Sequence, residues 1–228
     1  MQALSVRAQI TTMILKPGAE ILIATHNAGK VREVQEALHS LPVKLRYLDE
    51  FSQVSSVDEV GDTYQANALL KALAYAKQTG VCALADDSGL EVESLGGKPG
   101  VLSARFGGEN ASDFDRIQKL LRALAESGNS NHRARFVCCM VLAEWQTKSE
   151  LLEKVEPHVL TLTEAKCEGE IALEASGANG FGFDPVFIPR GYLATFAGLP
   201  NDVKARISHR AQALAAIRSF LDSQLAQT

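Results

Sequence analysis

The chain has 228 residues, 46% of them hydrophobic, and a formal net charge of −4. That supplies one substantial core, bilobed at most, rather than two independent domains. The acidic balance excludes a general basic field for DNA or RNA, and no apolar run approaches the ~18 residues of a membrane span. Residues 1–19 read as an N-terminal extension, either a disordered segment or a stretch preceding a functional start at Met13, ahead of a single domain over 20–228. Glu20–Ala24 (EILIA) reads as a buried strand running into the turn-like Thr25–Lys30. A helix follows from about Val31 to Leu38, with Val31, Val34 and Leu38 on its apolar side and Glu33 and Glu36 on its polar side. Val43–Leu48 suggests a strand, and Phe51–Asp58 a Ser-rich connection. Thr63–Thr79 is a strong helix with Gly80 at its C-terminal end. Asn67, Lys71 and Tyr64 share one side of it by i, i+3 and i+4 spacing.

The apolar run Val81–Ala85 leads into Asp86-Asp87-Ser88-Gly89. Alternation resumes at Leu90, Val92 and Leu95, before the cluster Gly96-Gly97-Lys98-Pro99-Gly100. This predicts strand, acidic turn, strand, Gly/Pro loop. Asp113–Ala125 is a further helix, capped by Ser112 or Asp113. Arg135–Ala143 and Ile171–Ala175 are predicted strands, and Ala205–Leu225 contains the final helix. Strands alternating with helices make the fold α/β. The four cysteines, Cys82, Cys138, Cys139 and Cys167, lack C-x-x-C spacing, so a reducing cytoplasm is expected.

Four segments carry chemistry, each with a plainer alternative. Adjacent acids at the end of a buried strand need a cation, and Mg2+ suits carboxylate oxygen; a polar turn is the alternative. Thr25–Lys30 is no P-loop, because Ala24 and Val31 replace the required Gly and Ser/Thr. A strand-to-helix turn still binds anions through helix N-terminal N–H groups, although most such turns only connect. Asp58 and Glu59 precede the Lys71 helix and either complete a metal site or favour the helix dipole. Gly177–Pro185 (GANGFGFDP) sets Phe181 and Phe183 among glycines, for base stacking or for a core turn. Lys204, His209 and Arg210 flank the start of the last helix, as base or phosphate ligands or as solvated polar residues.

Together and in this order, Ile23–Lys30 (IATHNAGK), Gly61–Ala72 (GDTYQANALLKA), Ala85–Gly89 (ADDSG), Gly96–Arg105 (GGKPGVLSAR), Gly180–Pro185 (GFGFDP) and Ser208–Leu214 (SHRAQAL) resemble the inosine triphosphate pyrophosphatase family, of the Ham1/RdgB type. The resemblance runs from about Ile21 to Leu221. It implies an elongated two-lobed α/β fold with a long central mixed sheet and a nucleotide cleft between the lobes. It also implies Mg2+-dependent hydrolysis of ITP, dITP and XTP to the monophosphate and pyrophosphate by a homodimer, with no nucleic-acid polymer or membrane as partner.

By motif position, Thr25, His26, Asn27, Ala28, Gly29 and Lys30 would hold phosphate and sugar, and Lys71 the triphosphate. Asp87 would be proton acceptor and metal ligand, with Asp86 beside it and Ser88 on substrate. Asp58 or Glu59 would complete the metal site. Phe181, Gly182, Phe183 and Asp184 would line the base pocket, with Lys204, His209 and Arg210 closing on the base. Arg210 facing O6 of the purine would favour hypoxanthine over adenine. Three departures from the family pattern stand out: the extension, a longer Trp145–Cys167 segment, and Gly198 where the family's T-F-A-E-L has its acid. A different nucleotide substrate and a catalytically silent nucleotide binder are the competing readings. Retention of the paired acids speaks against the second.

Overall fold

The computed structural model describes residues 15–108, 110–145 and 157–226. Residues 1–14 of the predicted extension and 146–156 of the predicted long segment lie outside the described residues. Six strands form one mixed sheet in the order β2-β1-β3-β4-β5-β6. β1 (Glu20–Ile23) lies parallel between β2 (Lys44–Tyr47) and β3 (Cys82–Val92). β4 (Arg133–Trp145), β5 (Pro157–Ile171) and β6 (Phe187–Pro189) continue antiparallel from β3.

Three cores follow from the alternation of side chains across this sheet. On one face α1 (Ala28–Leu38) and α5 (His209–Leu225) bury Val34, Leu38, Leu214 and Ile217 against Ile21, Ile23, Leu84 and Met140. Leu15 joins that core. On the other face α2 (Tyr64–Thr79) packs Ala68, Ala72 and Ala76 on Leu22, Ala83, Ala85 and Val141, the small residues letting helix and sheet approach closely. At the distal end α3 (Asp113–Ser127) buries Ile117, Leu120 and Leu124 with Leu90, Phe136, Phe183, Phe187 and Phe196. The α2 limits match the sequence signals, whereas α1 starts at Ala28, ahead of the predicted Val31, because Asn27 caps it. Thr63 accepts from Ala66 N at 3.1 Å, and Gly80 closes α2 with φ of 68°.

Two expectations are corrected. The predicted acidic turn is absent: β3 is one eleven-residue strand, and Asp86 and Asp87 sit inside it opposite Met140 and Cys139. The hydrogen-bonded partner on β4 carries the backbone straight through, and cations supplied by distant elements make the buried acids tolerable. The predicted strand Ile171–Ala175 ends at Ile171, because β6 pairs only with Gly169–Ile171; beyond it the chain keeps single bonds, Ala172 N to Val186 O and Ser176 N to Pro185 O, both at 2.8 Å. The final helix lies within the predicted 205–225 range, and a separate short helix precedes it. Ser208 is extended, with ψ of 155°, and separates α4 (Asn201–Ile207) from α5, which it caps through Ala211 N at 3.1 Å. That break places Lys204 on one helix and His209-Arg210 at the start of the next.

Candidate active site

The site lies where β1 stops and β3 continues. β1 pairs with β3 only through Leu84, and Ala24 N makes the last bond, to Leu84 O, at 2.9 Å. Farther on, the Ser103 hydroxyl accepts from Leu90 N at 2.9 Å and Glu91 bridges to Pro99. Between these points the β1-side edge of β3, Asp86–Ser88, pairs with no strand among the described residues. Side chains on both faces of β3 therefore reach one crevice, beyond the carboxyl end of β1, the usual position for ligands in open α/β sheets.

On the α1/α5 face, Asp86 Oδ2 meets Lys30 Nζ at 2.9 Å and Arg210 Nη2 at 3.3 Å. Arg210 also donates to Glu33 at 2.7 Å and to the Ser88 hydroxyl at 2.8 Å. Lys204 bridges Glu33 at 2.9 Å and Asp184 at 2.5 Å. Burial alone would raise the pKa of Asp86, but Lys30, Arg210 and Lys71 outweigh it and hold the group far below the ordinary carboxylate range. For Glu33 too, Arg210 and Lys204 overcome the cost of burial and lower the pKa. His209 is buried and stacked on Phe136, with ring centroids 4.6 Å apart. Burial first, then Arg210 and Lys204, push its pKa well down, so the imidazole is neutral near pH 7. Its Nδ1 has no hydrogen-bond partner among the described residues.

The α2 face is organised differently. Asp87 accepts from Asn67 Nδ2 at 3.0 Å and from Ser88 N at 2.9 Å, and Lys71 Nζ lies 4.0 Å from its Oδ1. Lys71 is bonded more closely to Glu59, at 2.5 Å. Burial raises the Asp87 pKa and Lys71 only partly offsets it. Burial disfavours the Lys71 ammonium, but Asp86, Glu59 and Asp87 reverse this and raise its pKa. Asn67 also accepts from Gly61 N at 2.8 Å, which fixes the approach to the helix and with it Glu59.

Across the crevice, Phe181 packs on Gly29, where a side chain would collide with its ring. The Lys204 ammonium stands 4.5 Å from that ring's centroid. Asp184 accepts from Phe181 N at 2.8 Å, and Gly182 N donates to Asp113 at 2.7 Å. Burial raises the Asp184 pKa despite Lys204. Two cavities meet at Phe181 and Lys204. One of about 180 Å3 is lined by Lys30, Glu59, Asp87, Ser88, His209 and Arg210 among others. The other, about 420 Å3, reaches Gly29, Glu33, Asn179 and Ser208. A larger groove of about 970 Å3 runs past Glu91, Arg135 and Glu168 but holds none of the predicted site residues. Its Arg135 is already paired with Glu91 at 2.7 Å.

Most of the predicted residues thus converge. Asn27, Lys30, Glu59, Asp87, Ser88, Phe181–Asp184, Lys204, His209 and Arg210 line the smaller cavity, and Lys71 stands behind Glu59. Gly29 lines the second. Thr25, His26, Ala28 and Asp58 line neither; Thr25 accepts from Asn27 N at 3.2 Å, and His26 faces Asp49 at 3.5 Å. Asn27 caps α1 by accepting from Gly29 N and Lys30 N at 2.9 and 3.1 Å. Arg210, expected to face a base, spends its donors on Asp86, Glu33 and Ser88. Glu33, read as the polar side of a helix, is a member of the ion network; Asp113, read as a cap candidate, and Arg116, not singled out in the sequence, line the cavity. Only tertiary contact reveals these three.

A crevice at a strand terminus, cations on both walls, two unlike carboxylates and an aromatic glycine segment suit a phosphate ester or anhydride bound to an α/β protein. The comparisons sharpen that class. The Ham1 family matches residues 21–220, and the chain belongs to it. A dITP/XTP pyrophosphatase of Coxiella burnetii is 43% identical over 202 residues, 89% of this chain and 96% of that protein. One of Bacillus subtilis is 40% identical over 204 residues, 90% of this chain and 98% of that protein. The structure of a HAM1 protein from Coxiella burnetii aligns with a TM-score of 0.77 at 40% identity, covering 90% of this chain and 99% of that one.

Proposed function

We propose that this protein hydrolyses the non-standard purine triphosphates dITP, ITP and XTP to the monophosphate and pyrophosphate, with Mg2+ at Glu59 and Asp87. The names of the relatives support the reaction. The observation that carries the residue assignment is the pair Glu59 and Asp87 gathered around Lys71 at the free edge of β3. The donor set fits Mg2+, which takes one or two carboxylates and completes its shell with water and substrate phosphate. Among the described residues no three His, Cys, Asp or Glu side chains form a cage for a metal ion, so substrate oxygens are needed to finish this one. When bound, the ion neutralises triphosphate charge and lowers the pKa of bound water.

Asp87 accepts the proton of the water that attacks the α-phosphorus. Burial raises its basicity, while Asn67 and Ser88 N fix its orientation. Lys71 and Lys30 balance charge on the departing pyrophosphate. The base lies against Phe181, toward His209. The neutral imidazole lines the cavity and can accept from N1–H of hypoxanthine or xanthine in one tautomer; adenine has no such proton. Arg210 and Lys204 hold that wall through Glu33 and Asp184. A homodimer and a cytoplasmic location complete the proposal. The family's usual assembly supports the first, and four free cysteines support the second. The test is a panel of dITP, ITP, XTP, GTP and ATP, with and without Mg2+, and products identified. Pyrophosphate from the first three, dependent on Mg2+, is expected. Equal turnover of ATP, or orthophosphate as product, contradicts the assignment.

A further inference from the structure

The segment carrying Phe181 is tied down from two directions. Ala178 N and Asn179 N donate to Ala197 O at 3.1 and 3.0 Å, holding its start to the chain that follows it. Gly182, at φ of 62°, turns its N–H the other way, to Asp113 Oδ2 at 2.7 Å, 69 residues distant in sequence. The second Asp113 oxygen binds Arg116 at 2.5 Å, and Arg116 Nε donates to Ala104 O at 2.9 Å. α3 does not need this carboxylate as a cap. The Ser112 hydroxyl accepts from Asp115 N at 3.2 Å, and Asp115 accepts from Ser112 N at 3.0 Å. One Asp113 oxygen pairs with Arg116 within α3, and the other is spent on the segment.

We propose that Asp113 is a positioning residue for the purine subsite: its carboxylate fixes the Gly182 backbone and, through it, the ring of Phe181. The inference rests on the nucleotide reading above. Asp113 lines the same cavity as Asp87 and Glu59 but spends its carboxylate on a backbone N–H and on Arg116. Loosening that tie removes binding made equally in the ground and transition states, which raises KM and leaves kcat nearly unchanged.

The experiment compares Asp113→Ala, Asp113→Asn and Asp115→Ala in the full chain, by dITP kinetics with Mg2+ and by amide exchange. Asp113→Ala is expected to raise KM about tenfold with kcat within about threefold, the loss a charge-assisted hydrogen bond of this kind supports. Exchange at Gly182 should quicken while the Ile117–Leu124 amides stay protected. Asn keeps an acceptor oxygen and should restore most of the KM. Asp115→Ala should lower the melting temperature and leave KM alone. The inference is overturned if Asp113→Ala leaves KM and Gly182 exchange unchanged, or if both alanine variants behave alike. If the wild-type protein turns over no purine triphosphate, the nucleotide reading fails, and the exchange result alone then judges the tie.

Discussion

The two faces of β3 carry one aspartate each, and the protein treats them in opposite ways. Asp86 meets two cations directly, Lys30 and Arg210, inside a network that runs on through Glu33 and Lys204 to Asp184. Asp87 has an amide, a backbone N–H and one ammonium at 4.0 Å that is bonded more closely to Glu59. Its cations hold the Asp86 carboxyl far below the ordinary carboxylate range, while burial pushes the Asp87 carboxyl up. Strand alternation alone makes this division possible, since neighbouring residues point to opposite faces. The comparison teaches that close cations hold a buried carboxyl down, whereas one whose nearest partners are an amide and a backbone N–H keeps the upward push of burial.

The largest expected effect falls on the braced side. Asp86→Asn leaves Lys30 and Arg210 facing a neutral amide in a buried setting. Loss of one partner of such a group costs roughly 3–5 kcal/mol. Urea unfolding measures it, and a loss below about 1 kcal/mol would mean that Asp86 braces nothing. The second prediction sharpens the other side. Lys71→Ala should lower kcat/KM for dITP by an amount equivalent to about 1.5–3 kcal/mol, the value of a charged hydrogen bond. It should spare stability more than Asp86→Asn does. Full specific activity with an early melt would make Lys71 structural instead.

The third prediction is smaller and concerns pH. The His209 pKa is depressed in the folded state, by burial and then by Arg210 and Lys204. The unfolded chain therefore binds the extra proton first, below about pH 6.5. Stability is full above that pH and falls as the pH drops, by at most about 1.4 kcal/mol per unit. Unfolding curves between pH 7.5 and 5.5 test this against His209→Gln, whose slope should be shallower. Identical slopes would remove His209 from the account.

Much of this was legible in the sequence, for local reasons. The α2 limits follow from Thr63 and Gly80, and the shared face of Asn67 and Lys71 from helical spacing. The motif order identified the family and most of the residues that converge. The turn expected at Asp86–Gly89 was misread because D-D-S-G is good turn chemistry and a strand with a free edge shows the same local pattern. The evidence for a strand lies on β4, more than forty residues away. Glu33 reads as a helix's polar side because Arg210, its partner, comes 177 residues later. Asp113 reads as a cap candidate because nothing local shows that Gly182 will fold against it. Charge networks are built from distant residues, and sequence periodicity does not report them.

The division between the two aspartates is tested most directly on Asp87→Asn, by measuring kcat for dITP at saturating Mg2+ and the melting temperature on the same sample. The substitution removes a charge and almost no volume. General-base catalysis contributes typically 10²–10⁴-fold in rate, so kcat should fall about a thousandfold or more once the metal role is lost with it. The melting temperature should stay within a few degrees of wild type. A kcat close to wild type, or a melt as early as that of Asp86→Asn, would contradict the assignment of Asp87 to chemistry and Asp86 to the fold.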